Sequence, residues 1–109
     1  MSLRVLLIGG YGNFGSYIAR ALAPDPGIEL IVAGRNADKA RNFAQSLDAA
    51  NPAGHARLDI SGNLSFAELV PDLVIHTVGP FQQQDYRVAQ AAIAAGAHYC
   101  DLADARAFV

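Results

Sequence analysis

Three glycines, Gly10, Gly12 and Gly15, stand in the pattern G-x-G-x-x-G within "IGGYGNFGSYIARAL". An apolar run precedes them and a helix-like pattern follows, the setting in which bare backbone at a strand-to-helix turn receives a pyrophosphate. Each glycine has a separate task. Gly10 permits a sharp turn, Gly12 lets the backbone approach an anion with no Cβ in between, and Gly15 lets the helix pack closely on the strand. Tyr11, Asn13 and Phe14 lie within the same loop and are candidate contacts to the ligand. A Walker-type loop needs Lys and Ser/Thr after its last glycine, whereas Ser16 and Tyr17 follow Gly15, which excludes ATP chemistry of that kind.

Gly9, Gly12 and Gly15 also satisfy G-x-x-G-x-x-G, the spacing of extended short-chain reductases, so the glycines alone do not choose between families. The next strand carries more information. NAD-preferring and many SAM-binding sites place an acid about 20 residues beyond the glycines, where it accepts hydrogen bonds from both ribose hydroxyls. This chain reads Ala33, Gly34, Arg35, Asn36 there, and its nearest acid, Glu29, sits at the opposite end of the strand. Without a carboxylate there is no repulsion of a 2′-phosphate, and Arg35 offers a planar, permanently charged fork to such a group. Lys39 points the same way, because a cation in the first turn of a helix opposes the helix dipole unless an anion lies nearby. The expected cofactor is NADP ahead of NAD, and the missing acid argues against a SAM-dependent methyltransferase.

Other candidates are weaker. Asp59 and Ile60, after the third strand, are expected to flank the adenine. His76 lies between apolar neighbours in a strand and reads as a structural histidine. His55 and His98 have no partners at metal-ligand spacing, so no metal site is expected. Cys100 alternates with Tyr99 and Asp101 on one strand and reads as a buried thiol on the face opposite to theirs.

These residues need a scaffold. Leu3 to Ile8 is an apolar run stopped by glycine, as in a strand covered on both faces. Phe14, Ile18, Ala21 and Leu22 recur at helical spacing until Pro24, Pro26 and Gly27. Ile28 to Ala33 reads as a second strand, followed from Asn36 by a helix with Ala40, Phe43, Ala44 and Leu47 inside. Ala56 to Ile60 is a short third strand and "SFAELV" a short helix before Pro71. Leu73 to Val78 forms a fourth strand, Gln82 to Ala95 a helix closed by Gly96, and Ala97 to Leu102 a fifth strand. Strands alternating with helices imply parallel pairing with right-handed crossovers, hence an α/β, doubly wound, Rossmann-type sheet in the order 3-2-1-4-5. Ligands bind in such a sheet beyond the carboxyl ends of the strands.

Composition bounds the functional classes. The 109 residues make one domain, 52% of them apolar and 17% charged, with a formal charge of −2. A chain of that charge carries no broad basic field for nucleic acid or anionic membrane. Its apolar runs are too short for a membrane span or a secretory signal. A single cysteine permits no internal disulfide and suits a reducing compartment, with cytoplasm as the default.

"DLVIHTVGPFQQQDYRVAQAAIAAGAHYCDLAD" adds a more specific signature. Together with "GGYGNFG" and "VAGRN", it resembles the N-terminal NAD(P)-binding domain of the saccharopine dehydrogenase family over essentially the whole chain. Val78, Gly79, Pro80 and Phe81 match that family's Val-Gly-Pro-Phe loop, and His98, Tyr99, Asp101 and Leu102 match its "HY-x-D-L" ending. In the loop, Gly79 allows close passage to a ribose or pyrophosphate, Pro80 sets the exit, and Phe81 offers an apolar wall to a nicotinamide. A Gly-Pro turn carrying a core phenylalanine is the plainer alternative. The family pattern continues into Thr/Ser-Gly-Glu, where this chain has Ala103, Asp104 and Ala105, so substrate-side roles do not carry over. The resemblance implies an oxidoreductase whose cofactor domain, residues 1–109, positions the nicotinamide while a further domain holds substrate, an amino-acid imine in saccharopine-type members and other compounds, including enoyl lipids, in relatives. On that reading the chain is a fragment truncated before its substrate domain. It binds cofactor without turnover, no catalytic acid or base is identified, and it exposes apolar surface through which a homodimer would form. A non-catalytic NADP-binding sensor related to short-chain reductases is the alternative.

Overall fold

The computed structural model describes residues 3–9, 11–58, 66, 68–77 and 83–101. Among the described residues five strands and three helices follow in the order β1 (Leu3–Ile8), α1 (Asn13–Leu22), β2 (Ile28–Gly34), α2 (Ala37–Ser46), β3 (Gly54–Arg57), β4 (Leu73–His76), α3 (Gln83–Ala94) and β5 (His98–Asp101). The strands form one parallel sheet in the order β3-β2-β1-β4-β5, as the alternation of elements requires.

β1 shows why its apolar run is unbroken. Val5 and Leu7 point to one face, where they join Ala19, Ala23, Leu30, Val32, Ala40 and Ala44 beneath α1 and α2. Leu6 and Ile8 point to the other and join Val74, Phe66, and Val88 and Ala92 of α3. Successive side chains on a strand alternate faces, so a central parallel strand must be apolar at every position. Among the described residues Phe66 is the largest fully buried side chain. It covers the second face from a segment in which the described residues form a turn: the Leu69 and Val70 amides both donate to the Phe66 carbonyl, at 3.1 and 3.2 Å. The rest of the expected "SFAELV" helix lies outside the described residues.

Two expectations about elements are corrected. The third strand lies earlier than residues 56–60, its register setting Ile31 against Gly54 and Gly34 against Arg57. Within α1, Phe14 and Ala21 are exposed, and the inward face is instead Gly15, Ala19 and Ala23, with Ile18 and Leu22 at its margins. Small residues at i, i+4 and i+8 let the helix approach the sheet closely, which the larger residues of the other stripe would prevent.

The C-terminus of α3 ends as its glycine requires. Gly96 has φ +77°, the Ala97 amide donates to the Ala92 carbonyl at 2.9 Å, and the Gly96 amide donates to Ile93 at 2.9 Å. This paired closure needs a left-handed residue, which glycine adopts without Cβ strain.

Candidate functional site

The carboxyl end of β1 leads into the glycine turn. Gly9 carries the left-handed conformation, φ +83°, and its carbonyl accepts the Gly12 amide at 2.9 Å. Gly12 then serves as N-cap of α1 in extended conformation, with no side-chain cap, and the first turn contains no acid. A Cβ on Gly12 would lie 3.3 Å from the Gly9 carbonyl oxygen, a tight contact that would press on the turn. The N–H groups of a helix's first turn have no partner within the helix, and an anion is their usual outside acceptor. Gly15 is buried, in keeping with a packing role.

Thr77, a residue that sequence reasoning does not single out, secures this turn from the neighbouring strand. Its amide and hydroxyl both donate to the Ile8 carbonyl, at 3.0 and 2.8 Å. The end of β1 is therefore held on both sides, since the Gly9 amide also donates to Ala33 of β2 at 2.7 Å.

Beside it, β2 ends in Gly34, and its turn into α2 carries Arg35 and Asn36. Asn36 is the N-cap of α2: its Oδ1 accepts the Lys39 amide at 3.0 Å. The Asn36 amide donates in turn to the Tyr11 hydroxyl at 3.0 Å. Half-buried Tyr11 thus reaches from the glycine turn to the end of β2. Its ring lies directly over Gly34, where a Cβ would approach Tyr11 Cζ to 2.6 Å.

An open cavity of about 630 Å³ lies at this corner, lined by Tyr11, Arg35, Asn36, Ala37, Asp38, Lys39 and Arg57. Arg57 is the second residue that sequence reasoning misses. The strand register seats it against Gly34, and the Leu58 amide donates to the Gly34 carbonyl at 2.8 Å, pinning the two strand ends together. The available signal is a cation at the carboxyl end of a strand. A strand expected to run on to residue 60 obscures it.

Three cations therefore surround the cavity from two strand ends and one helix. Among the described residues, no ion pair involves Arg35, Lys39 or Arg57. Asp38, the acid in the lining, is engaged by Arg41 at 3.1 Å. The donor set suits a phosphate monoester: two guanidinium forks and an ammonium, with no carboxylate at the end of β2. Glu29 lies at the far end of the sheet, as expected, paired with Arg4 at 3.1 Å. The residues present thus fit a 2′-phosphorylated dinucleotide, with a helix start at Gly12 that carries no side-chain cap for its diphosphate and a cationic corner for its third phosphate.

Gly10, Asp59, Ile60, the Asn13 side chain and the loop Val78, Gly79, Pro80 and Phe81 lie outside the described residues. Phe14 is 69% exposed on the outer side of α1. His76 is completely buried, with Nδ1 3.1 Å from the Tyr99 hydroxyl, a structural setting for an imidazole within a strand. Cys100 is exposed rather than buried. It sits on β5 beside half-buried Ile75, and among the described residues neither α1 nor α2 packs closely on β5. Alternation assigns its face correctly, but not the cover over that face.

No helix among the described residues is long and apolar enough to cross a membrane. No three His, Cys, Asp or Glu side chains gather there at metal-binding distance.

Comparison with known proteins agrees with this geometry. No curated protein matches the chain. Saccharopine dehydrogenase (L-Glu forming) from Saccharomyces cerevisiae superposes with a TM-score of 0.74 at 22% identity, over 92% of this chain and 21% of the yeast chain. Vestitone reductase from alfalfa, Medicago sativa, superposes with a TM-score of 0.68 at 19% identity, over 90% of this chain and 35% of that one. The nucleotide-binding domain of glutamyl-tRNA reductase from Thermoplasma volcanium gives 0.51 at 24% identity, over 72% of this chain and 51% of that one. At these identities the likeness is one of fold, and the chain spans only about a fifth of the yeast enzyme's length. The family model "Saccharopine dehydrogenase NADP binding domain" matches residues 5–108, nearly the full sequence. On this match the chain belongs to the saccharopine dehydrogenase NADP-binding domain family.

Proposed function

We propose that this domain holds NADP for a reductase or dehydrogenase of the saccharopine dehydrogenase type, with its diphosphate at the Gly9–Gly15 turn and its 2′-phosphate at Arg35, Lys39 and Arg57. The observation carrying this reading is the cationic cavity at the ends of β2 and β3, whose lining acid is already engaged by Arg41. When bound, the cofactor supplies the hydride chemistry. The chain's own part is to bind and orient. Amides at the start of α1 receive the diphosphate, Gly12 keeps their approach clear, and the arginines grip the ester phosphate on the adenosine side.

Val78, Gly79, Pro80 and Phe81 would follow β4 on the nicotinamide side of the crevice, and Asp59 and Ile60 would follow β3 on the adenine side. Asn13, Gly34 and Asn36 complete the proposed cofactor site, with Tyr11 bracing it from the glycine turn. The substrate, and the acid or base that serves it, would come from a part of the full enzyme beyond this domain.

Calorimetric titration of NADPH and NADH against the wild-type chain and Arg35→Ala tests the assignment. NADPH should bind more tightly to the wild type. The variant should lose on the order of tenfold to a hundredfold for NADPH, the scale of a hydrogen bond to a charged group, with NADH nearly unaffected. Equal weakening of both ligands would defeat the assignment of Arg35 to the 2′-phosphate.

A further inference from the structure

We infer that Tyr11 occupies the place at the end of β2 where NAD-preferring sites put their ribose-binding acid, and that by doing so it positions the cations that select a 2′-phosphorylated ligand. This rests on the adenosine-side site proposed above. Gly34 is the last residue of β2, at about the distance beyond the glycine turn where that acid belongs. Above it stands the Tyr11 ring, so close that a Cβ on Gly34 would come within 2.6 Å of Cζ. With the ring in this place there is no room for a side chain at position 34, and one placed there would have to turn the ring out.

The ring is also tethered. Its hydroxyl accepts the Asn36 amide at 3.0 Å, and Asn36 Oδ1 accepts the Lys39 amide at 3.0 Å. One phenol thereby connects the glycine turn to the backbone beside Arg35 and to the helical turn bearing Lys39. A carboxylate at position 34 would do two things at once: repel a 2′-phosphate and expel the ring that holds this turn. Tyr11 is a positioning residue, and Gly34 is the small residue that admits it. Sequence reading treats the absent acid as a simple deletion. The structure makes it an exchange, with an aromatic from another loop in the acid's place.

The test compares adenosine 2′,5′-bisphosphate with adenosine 5′-monophosphate as ligands of the 109-residue chain. Wild type, Tyr11→Phe, Tyr11→Ala, Gly34→Asp and the double variant Tyr11→Ala/Gly34→Asp are titrated, and their melting temperatures are recorded. Tyr11→Phe keeps the ring and removes the tether. It should lose roughly threefold to tenfold in bisphosphate affinity, the scale of one hydrogen bond, while monophosphate affinity stays within about twofold. Gly34→Asp should melt below wild type, and combination with Tyr11→Ala should recover part of that loss, a coupling expected of groups competing for one space. The double variant should also turn the preference toward the monophosphate.

A wild-type chain that binds both ligands equally would defeat the site itself. A wild-type preference for the bisphosphate that Tyr11→Phe leaves intact, with additive melting effects for Gly34→Asp and Tyr11→Ala, would leave the site standing and overturn the role of Tyr11. Should neither chain carrying Gly34→Asp fold, the Tyr11→Phe titration decides alone.

Discussion

Helices α1 and α2 start at the same end of the sheet and have the same length, yet their N-termini are finished in opposite ways. α1 begins at Gly12, with no side-chain cap and no acid in its first turn. α2 begins at Asn36, whose own side chain caps it, with Asp38 in its first turn. The N-cap of the first entrance offers no side-chain acceptor to the opening amides. The second has its Lys39 amide accepted by Asn36 Oδ1 and has Arg35, Lys39 and Arg57 around it. A dinucleotide phosphate carries two kinds of anion, and on the function proposed above the two entrances would match them differently: dispersed backbone dipoles for the diphosphate, permanent charges for a terminal monoester. The Tyr11 hydroxyl joins the two entrances through the Asn36 amide.

This contrast is open to attack by substitution, from the strongest expected effect downward. Gly12→Val puts a branched side chain where an anion must approach and where even a Cβ meets the Gly9 carbonyl at 3.3 Å. It should weaken NADPH and NADH alike, on the order of a hundredfold by calorimetry, because the diphosphate is common to both. A selective loss for NADPH would mean that the two entrances do not divide the work as argued. Arg57→Ala should act only at the other entrance, lowering NADPH affinity by roughly threefold to thirtyfold with NADH unchanged, and Arg57→Lys should recover part of the loss. Its effect should shrink with added salt, since the cavity is open to solvent.

Asn36→Ala removes the cap of α2 and should cost about 1 kcal/mol of stability in a denaturant titration. The corresponding substitution at the first entrance has no cap to remove. Smallest of all, Glu29→Gln breaks the ion pair with Arg4 at the far end of the sheet, where both side chains are more than a third exposed. It should change stability by less than about 1 kcal/mol and leave the NADPH-to-NADH ratio untouched. A shift in that ratio would show that the ends of the sheet are coupled.

The legible parts of this protein are those written locally. The apolar run of β1 predicts a strand buried on both faces, and Val5 and Leu7 against Leu6 and Ile8 divide as that requires. Gly96 predicts the end of α3, because its left-handed turn depends on a few neighbouring residues. Phe14 escapes the inward face that periodicity assigns it because two stripes on α1 are apolar enough to face inward. Close approach to the sheet favours the stripe of Gly15, Ala19 and Ala23, a choice that belongs to the packing of the helix and not to its periodicity. Cys100 departs from expectation for a related reason: alternation names a face, while the reach of neighbouring helices decides whether that face is covered.

By itself, the order of residues determined the alternating elements, the parallel sheet and the glycine turn, since helical period, strand period and turn chemistry each act over a few residues. It also determined that no acid stands at the end of β2. Only the tertiary structure decided what stands there instead. The Tyr11 ring meets Gly34 from another loop, and Arg57 arrives beside the same glycine through the register of an edge strand. Contacts between distant segments depend on how strands align and how closely helices pack, which no short window of sequence contains.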